Sequence, residues 1–381
     1  MMVRFLHLSD THLGNRQYMM PERELDFYES FREAISIGLE ENVDFFVHSG
    51  DLFDFWNPSN QALKEFRDSM ITLREKNKPV FMIMGDHDRP KRKDYPAAQL
   101  FDFLGIRVLG KDSFEHTVQR FGSEDIFIGG ISNLKGFNKP LLISEYQKAG
   151  SFARDTRNSV LISHQGVTNF GFPDEACEVT REMVPGNYSY LAFGHFHNFS
   201  KAKIGDSLFS YPGSTDINST NEIDSFLKTG KGVNLVDIEK GEATMQRLPL
   251  VSTRMQAKIS TDPDRYVQEI DNFLSQYSDR IGSKKPLVTI EIRGDSDKPA
   301  IRRYLENYSE KIIFRPPIFI TAAVEKESRP NLNSIMDYLR NYFKDDNLAD
   351  LANNIYQMTQ GEVGESIYHD IKGKMGLETP K

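Results

Sequence analysis

The chain has 381 residues, of which 39% are hydrophobic and 27% are charged, and its formal net charge at pH 7 is −8. This length favours two or three domains, and the negative charge argues against a wholly basic protein that coats nucleic acid. The single cysteine, Cys177, excludes an internal disulfide framework and a cysteine-cluster zinc site, and it suits a reducing cytoplasm. No apolar stretch approaches a membrane span and no secretory signal is visible, so we expect no contact with a membrane.

Short apolar runs alternate with helical patterns through the first two hundred residues. This alternation is typical of a layered α/β fold. The predicted strands are residues 3–9, 43–50, 79–85, 125–131, 159–166, 190–197, 207–213 and 232–238. Helix-period apolar spacing predicts helices at 22–41 and 60–77. Most polar signatures lie at the C-terminal ends of these strands, where open α/β sheets bind their ligands.

The pattern changes near residue 250, which predicts three parts of the chain. Residues 1–250 would form the main α/β domain. Residues 254–320 show the order strand, helix, strand, helix, strand, so 251–325 would form a small separate α/β domain. Residues 326–381 carry apolar stripes at helical spacing, and we expect a helical tail that packs on its own body or binds a partner.

Acidic and histidine residues follow the predicted strands in five short motifs. They are Asp10 and His12 in SDTHLG, Asp51 in SGDLFD, Asp86 and His87 in GDHD, His164 in SHQG, and His195 and His197 in GHFH. In both D-x-H and G-H-x-H, residue x occupies the turn, so the side chains on either side of x point to one place. The neighbouring glycines let the backbone approach closely.

This set of side chains predicts a metal centre. Nitrogen and carboxylate ligands without thiolate suit Mn²⁺, Fe or Zn²⁺. The set exceeds what one ion needs and fits two ions that share a carboxylate, as in phosphoester cleavage. A lone Asp or His at a strand end is usually a cap or a satisfied polar group, and His7, His48, His116 and His369 are interpreted as structural.

The ordered motifs resemble the calcineurin-like metallophosphoesterase superfamily. Within it, LHLSDTHLG, HSGDLF, SHQG, FGHFH and YPGST are similar to the SbcD-type nuclease subunit of double-strand-break repair in archaea and bacteria. The resemblance covers residues 7–215, and GKGVNLVDI at 230–238 extends it. It implies a sandwich of two sheets flanked by helices. By position and size, 251–325 fits the capping domain of that family and 326–381 its segment for binding a coiled-coil ABC-type ATPase.

The resemblance also assigns roles to individual residues. It implies that Asp10, His12, Asp51 and His197 surround a first ion. Asp51, Asp86, His164 and His195 would surround a second ion, with Asp51 as the bridge. His87 would be a catalytic residue that is not a ligand and that faces the scissile phosphate. The implied ions are two Mn²⁺, with Mg²⁺, Fe and Zn²⁺ as alternatives.

Two positions depart from the pattern of the superfamily. Asp86 stands where an asparagine is usual, which adds a negative charge beside an anionic substrate and removes an amide donor. Asp54 stands where some relatives carry a histidine that assists exonuclease chemistry. These departures leave the metal preference and the strength of exonuclease processing open.

A basic run, RPKRKDYP, follows the GDHD motif and supplies Arg89, Lys91, Arg92 and Lys93. Beside a phosphate-cleaving centre, such residues favour a groove that contacts the DNA backbone, although charge runs are often solvated surface. Arg16, just past the first ligand pair, is a further candidate DNA contact.

Three functions remain open from the sequence. The first is a Mn²⁺-dependent DNA nuclease, endonucleolytic on single strands and exonucleolytic at DNA ends. It would act as a homodimer in double-strand-break repair with the ATPase, in the cytoplasm and at the nucleoid. The second is a phosphatase or cyclic-nucleotide phosphodiesterase on the same fold. The third is a DNA-end-binding scaffold subunit with weak catalysis.

Overall fold

The structure is a computed structural model that describes residues 2–89, 95–134, 139–153, 156–171, 177–282 and 284–320, together with residues 339, 340, 348 and 352. Lys91, Arg92 and Lys93 of the basic run lie outside the described residues. The predicted tail at 326–381 also lies outside them, apart from those four positions.

Two sheets and four helices account for most of residues 2–250. In chain order the elements are β1 (Val3–Leu8), α1 (Pro21–Glu40), β2 (Phe45–His48), α2 (Asn60–Glu75), β3 (Val80–Met82), β4 (Ile106–Val108), β5 (Glu115–Phe121), β6 (Glu124–Ile131), α3 (Lys139–Phe152), β7 (Ser159–His164), β8 (Tyr190–Gly194), β9 (Ser200–Ile204), β10 (Ser207–Tyr211), α4 (Ile223–Thr229), β11 (Lys231–Glu239) and β12 (Glu242–Leu250). Short 3-10 helices occur at Gln17–Met19, Ala97–Leu104, Arg181–Met183 and Thr220–Glu222.

Each of the two sheets has six strands. The first has the order β12-β11-β1-β2-β3-β4, in which β1 to β4 are parallel and β11 runs antiparallel to β1. The second has the order β5-β6-β7-β8-β10-β9, in which β6, β7, β8 and β10 are parallel. All eight predicted strands and both predicted helices are present. The strands β4, β5, β9 and β12 and the helices α3 and α4 were not predicted.

The alternation of apolar residues explains the layers. In β1, Val3 and Phe5 belong to the core between the two sheets, and Leu6 and Leu8 belong to the core beneath α1 and α2. This period of two is what a strand buried on both faces requires. On the far side, α3 covers the second sheet through Tyr146 and its apolar neighbours. The predicted sandwich of two sheets flanked by helices is therefore confirmed.

A third, four-stranded sheet follows residue 250. Its elements are β13 (Gln256–Thr261), α5 (Tyr266–Gln276), α6 (Ser278–Ile281), β14 (Leu287–Arg293), α7 (Lys298–Leu305), β15 (Ile313–Phe314) and β16 (Ile318–Ile320). The strand β14 pairs in parallel with β13, β15 and β16. We call residues 256–320 the small sheet unit. Its core also contains Ile217 and two residues of α4, Ile223 and Phe226, so α4 packs on the small sheet unit although it precedes residue 250.

No helix within the described residues is both long and apolar enough to cross a membrane.

The close packing of α1 on the first sheet generates a stability prediction. A Cβ atom at Gly38 would lie 2.4 Å from ring atoms of the buried Phe46. We expect Gly38→Ala to lower the free energy of unfolding by roughly 1–3 kcal/mol, because overpacking costs more than the better helix propensity of alanine returns. Denaturant titration measures this, with the exposed Ser36→Ala in the same helix as a control. A Gly38→Ala variant as stable as the parent would contradict the packing described here.

Candidate metal centre

The predicted ligands meet at one edge of the sandwich. Asp10, Asp51 and Asp86 follow β1, β2 and β3, which are parallel, so the three carboxylates leave the first sheet at the same edge. His164 ends β7 and His195 follows β8, which are parallel neighbours in the second sheet. The structure therefore brings together side chains that lie up to 187 residues apart, between Asp10 and His197.

The backbone at these ligands is strained. Asp10, His12, Asp51 and His195 have φ values of 51°, 43°, 53° and 101°, in the region that residues with a side chain rarely adopt. Such conformations cost on the order of 1–3 kcal/mol each and cluster at functional sites. At these turns the side chains on either side of residue x in the D-x-H and G-H-x-H motifs point towards one cavity.

The first ligand group contains Asp10, His12 and His197. The Nε2 atoms of His12 and His197 are 3.2 Å apart, and Nε2 of His197 is 3.8 Å from Oδ1 of Asp10. Nε2 of His12 lies 3.8 Å from Oδ2 of Asp51. Two ring nitrogens and a carboxylate thus point at the same small space.

The second ligand group contains Asp86, His164 and His195. Oδ1 of Asp86 is 3.3 Å from Nε2 of His164 and 3.4 Å from Nδ1 of His195. Nε2 of His164 is 3.4 Å from Oδ2 of Asp51. The same oxygen of Asp51 therefore faces His12 of the first group and His164 of the second, which is the position of a bridging carboxylate.

The charge balance of the cavity fits a pair of divalent cations. Asp10, Asp51, His12 and His164 are buried, and within the described residues no lysine or arginine nitrogen lies within 4.0 Å of the Asp10 or Asp51 carboxylate. Buried carboxylates without a cation are costly. Burial acts to lower the pKa of His164, but Asp51 and Asp86 outweigh it and raise that pKa well above its usual range. The carboxylates thus make the cavity attractive to positive charge, and nitrogen and carboxylate donors suit borderline-hard metals.

In each ligand group, one histidine is held by a hydrogen bond from Nδ1, the ring nitrogen that faces away from the cavity. Nδ1 of His164 donates to the carbonyl oxygen of Ser49 at 2.7 Å. Nδ1 of His197 lies 2.9 Å from Oε1 of Glu222 and donates to it. Each contact leaves Nε2 unprotonated towards the cavity in the neutral ring, which is the form that binds a metal.

His87, which is not one of the predicted ligands, lies beside the first ligand group. Its Nδ1 donates to the carbonyl oxygen of Asp54 at 2.7 Å, and its ring stands perpendicular to that of His12 at 4.8 Å between centroids. Its backbone N–H donates to Oδ1 of Asp51 at 2.9 Å. The carboxylate of Asp54 lies 3.4 Å from Nδ1 of His12, so Asp54 contacts a predicted ligand and also fixes the orientation of His87.

Asp88 was not predicted as a site residue, but it organises the loops that carry two ligands. Its buried carboxylate accepts hydrogen bonds from the backbone N–H groups of Leu52, Phe53 and Gly85 at 3.0–3.1 Å. Burial, followed by the charge of Asp51, raises the pKa of Asp88 to about 6, and the amide donors oppose that rise. The loops after β2 and β3 are thereby tied together next to Asp51.

Two further histidines, interpreted as structural from the sequence, lie beneath the cavity. His7 contacts the Tyr190 hydroxyl and Oγ of Ser49, both at 2.9 Å. His48 contacts Oγ1 of Thr11 at 3.0 Å and accepts from the N–H of Gly50. These contacts connect the ends of β1 and β2 on the protein side of the ligands.

The two described candidates for DNA contact differ in their surroundings. Arg16 is 48% exposed at its side chain and lies 3.3 Å from Glu24. Arg89 donates to the carbonyl oxygens of Asn133 and Lys111 and pairs with Asp112 at 2.8 Å. The guanidinium of Arg89 therefore holds the loop around residues 111–112.

Asp88 and Glu222 are the site residues that reasoning from the sequence missed. A signal was present for Glu222, because Ser219-x-x-Glu222 is a capping box and the structure shows both of its hydrogen bonds. For Asp88, only its place next to His87 pointed to the site.

Comparison with known proteins identifies the family of this chain. The calcineurin-like phosphoesterase family model matches residues 3–199. The DNA double-strand break repair protein Mre11 of Thermoplasma acidophilum is 44% identical over 96% of this chain and 97% of its own length. The proteins of the same name from Sulfolobus acidocaldarius and Methanococcus maripaludis are 32% and 33% identical, over 80% and 76% of this chain and 81% and 78% of their own lengths.

The matched region contains all of the predicted ligands, and members of this family bind a dinuclear metal centre. The similarity to the three relatives continues beyond it, through most of the small sheet unit in the first of them. The chain is a metal-dependent phosphoesterase of the calcineurin-like family and belongs, within it, to the family of the Mre11 proteins.

Proposed function

We propose that this chain is a Mn²⁺-dependent DNA nuclease that hydrolyses phosphodiester bonds in double-strand-break repair. The observation that carries the proposal is the single oxygen of Asp51 that faces both ligand groups, 3.8 Å from His12 and 3.4 Å from His164. A shared carboxylate of this kind is the arrangement of two-metal phosphoryl chemistry. The near full-length similarity to a protein named for DNA double-strand break repair supports DNA as the substrate.

The residues that would hold the two ions are those of the two ligand groups. Asp10, His12 and His197 would bind the first, Asp86, His164 and His195 the second, and Asp51 both. When bound, the pair of divalent cations supplies an activated water at neutral pH and neutralises charge on the phosphodiester. Mn²⁺ fits a mixed set of carboxylates and imidazoles, and Mg²⁺, Fe and Zn²⁺ are the alternatives that a metal titration separates.

His87 would act on the leaving group. The carbonyl of Asp54 accepts from Nδ1, so the hydrogen of the neutral ring is fixed there and Nε2 is turned to the opposite side of the ring. In its protonated form, His87 can donate the Nε2 proton to the oxygen that departs as the P–O bond breaks. A positioned acid of this kind contributes about 10²–10⁴-fold to the rate.

The two departures from the superfamily pattern have structural counterparts. Asp86 lies between His164 and His195, where a carboxylate binds a cation more strongly than an amide does. Asp54 contacts His12 with its carboxylate and His87 with its carbonyl. We propose that Asp86 shifts the metal preference and that Asp54 supports both neighbours, with endonuclease cleavage of single strands and exonuclease cleavage at ends as the two activities.

Two other functions on this fold make different predictions. A phosphatase or cyclic-nucleotide phosphodiesterase would need none of the roughly 130 residues that follow the catalytic sandwich, and the relative from Thermoplasma acidophilum matches this chain through most of them. A scaffold subunit with weak catalysis would bind DNA ends and leave them intact.

We further propose that the nuclease has a coiled-coil ABC-type ATPase as the partner of segment 326–381 and that it is intracellular and associated with the nucleoid.

Variants at Asp51 and His87 test the catalytic proposal. We expect Asp51→Ala to lose both bound ions and all cleavage, because its oxygen faces both groups. We expect His87→Ala to keep two ions by elemental analysis while cleavage falls about 10²–10⁴-fold. The assay offers single-stranded DNA, duplex ends and p-nitrophenyl phosphate esters with Mn²⁺ or Mg²⁺.

The exposed His116→Ala serves as the control, because His116 packs on Phe127 in the second sheet and contacts no predicted ligand. Hydrolysis of the esters with intact DNA would favour the phosphatase. Binding of DNA ends without cleavage would favour the scaffold. Loss of metal in His87→Ala would contradict its role as a residue that is not a ligand.

Neutralising the basic run tests the DNA groove. We expect a triple variant, Lys91→Gln with Arg92→Gln and Lys93→Gln, to weaken DNA binding and to reduce the slope of log affinity against log salt. The reduction should be up to about 3, because each phosphate contact adds about 0.9 to the slope for duplex DNA. Arg89 is left intact because its guanidinium holds a loop.

A matched control removes three exposed basic residues at the opposite edge, where the parallel strands of the first sheet begin. Arg74→Gln, Lys76→Gln and Lys240→Gln together change the net charge equally. An equal loss of slope in both variants would mean that only overall charge matters.

Exposed apolar residues next to α2 support the proposed homodimer. The apolar face of α2 itself is buried in the core through Ala62, Phe66 and Met70. Leu100 and Phe103 of the neighbouring 3-10 helix are 54% and 67% exposed. Because large exposed apolar side chains mark contact surfaces, we propose that a second copy covers them.

We expect Leu100→Glu with Phe103→Glu to convert a dimer into a monomer in light-scattering measurements of mass. Val251, which is 84% exposed beyond β12, provides the control Val251→Glu. A parent protein that is monomeric, or a double variant that stays dimeric, would refute this interface.

A further inference from the structure

We propose that Glu222 is a positioning residue for His197, and that through α4 it makes the affinity of the first ligand group depend on the small sheet unit. The inference rests on the metal centre of the proposed function. It concerns a residue outside the part of the chain that the phosphoesterase model matches, residues 3–199. If it is correct, a side chain holds His197 in the first ligand group, whereas a backbone carbonyl holds His164 in the second.

The contacts of Glu222 fix the His197 ring. Oε1 of Glu222 accepts from Nδ1 of His197 at 2.9 Å and from the backbone N–H groups of Asn218 and Ser219 at 3.2 and 2.9 Å. Glu222 is 4% exposed. A carboxylate on the far nitrogen of a metal-binding histidine holds the tautomer and the ring orientation and increases the basicity of the ligand nitrogen.

Lys231 holds the other oxygen of the same carboxylate. Its Nζ donates to Oε2 of Glu222, to Oγ of Ser214 and, at 3.0 Å, to the carbonyl oxygen of His197. Lys231 is 3% exposed. The ammonium therefore fixes both Glu222 and the backbone of the ligand, and the pair Glu222–Lys231 is neutral as a whole.

The helix that starts after Glu222 belongs to the small sheet unit by its packing. Ile223 and Phe226 lie in one core with Ile270 and Val288. Arg280 donates to the carbonyl oxygens of Phe226 and Leu227 at 3.1 and 2.7 Å. A movement of the small sheet unit would therefore move α4, and Glu222 is the residue directly before α4.

A second connection reaches the other side of the same ligand group. The loop after His12 contains Gln17 and Tyr18. Nε2 of Gln256 donates to Oε1 of Gln17 at 3.0 Å, and the guanidinium of Arg315 lies 3.7 Å from the ring centroid of Tyr18. Tyr18 has a φ of 60°, so the loop keeps a strained conformation where the small sheet unit contacts it.

In the second ligand group, His164 has its support within the sandwich. Nδ1 of His164 donates to the carbonyl of Ser49, which directly follows β2, and Asp88 ties the loops after β2 and β3. These partners belong to the first sheet and its loops. The small sheet unit thus packs on α4, which directly follows the support of His197, and it contacts the loop after His12. The support of His164 is instead the backbone carbonyl of the residue directly after β2.

Titration of the metal-free protein with MnCl₂ alone tests the inference by calorimetry at one pH. We expect two binding steps for the parent protein. In Glu222→Gln, one step should weaken by about 10–100-fold, the usual effect of losing such a supporting contact, while the other stays within about twofold. The same step should be missing in His197→Ala, and adding Glu222→Gln to that variant should change nothing further.

Three further variants keep the test decisive. Asp224→Asn changes an exposed carboxylate in the same helix and should leave both steps unchanged. Glu222→Gln with Lys231→Met avoids an unpaired buried ammonium and replaces Glu222→Gln if that variant fails to fold by circular dichroism. Because Lys231→Met also removes the bond to the His197 carbonyl, Lys231→Met alone is measured beside it, and the double variant should weaken the step further. Glu222→Asp, which keeps the charge, should recover part of the lost affinity.

A double-mutant cycle tests the role of the small sheet unit. Arg280→Gln should weaken the same step several-fold in the parent protein and much less in the Glu222→Gln background, because the effect passes through Glu222. Additive effects would overturn the dependence on the small sheet unit. Unchanged binding in Glu222→Gln, or equal weakening of both steps, would overturn the role of Glu222. A parent protein that binds fewer than two ions would instead refute the proposed metal centre.

Discussion

The structure depends on holding buried carboxylates together at the edge where the two sheets meet. Asp10 and Asp51 are buried and Asp86 is partly buried, and each faces histidine nitrogens within 4.0 Å. The carboxylate oxygens of Asp10 and Asp51 lie within 4.8 Å of each other. Like charges at that distance repel, and removing them from water adds a further cost. Strained backbone at Asp10 and Asp51 and backbone N–H donors to their oxygens hold the arrangement in place. The sandwich supplies rigidity, and bound cations supply the compensating charge.

The two ligand groups reach similar geometry by different means. His164 rests on a backbone carbonyl, a partner whose position follows from the pairing of β1, β2 and β3. His197 rests on the side chain of Glu222, which in turn needs Lys231 and the turn before α4. A backbone partner moves only if the sheet moves, whereas a side-chain partner follows the helix that carries it. The support of His164 thus lies in the rigid part of the fold, and the support of His197 lies at the junction with the small sheet unit.

The sequence predicted those features of the structure that a short local pattern of residues determines. A D-x-H or G-H-x-H pattern after an apolar run contains both the strand end and the turn, so four candidate ligands could be named from these patterns without a structure. The other three, Asp51, Asp86 and His164, each follow an apolar run in a short motif of their own. The apolar runs likewise predicted every strand that is buried on both faces. The strand β5 was missed because its residues are partly or fully exposed on both sides, which leaves the alternation too weak to detect.

Contacts that join distant segments could not be predicted in the same way. Arg89 lies in a basic run beside the site and was a reasonable candidate for phosphate binding, but its partners are carbonyl groups 22 and 44 residues away. Glu222 bonds to a histidine 25 residues earlier, and only the capping box hinted that its carboxylate was needed. Such partners follow from tertiary packing rather than from any spacing in the chain.

The buried His7 and His48 beneath the cavity do not compensate the negative charge of the carboxylates, so that compensation requires cations. Burial lowers the pKa of each ring to about 3, so both are neutral near pH 7. His48 adds to this effect at His7, and His164 and His12 add to it at His48, where Asp51 opposes it. A neutral ring can donate from one nitrogen and accept at the other, which is what His48 does between Thr11 and Gly50. A positive charge on the His48 ring would compete with metal ions for the attraction of Asp51. By keeping these supports neutral, the fold concentrates the negative potential of the cavity on the ligand atoms themselves.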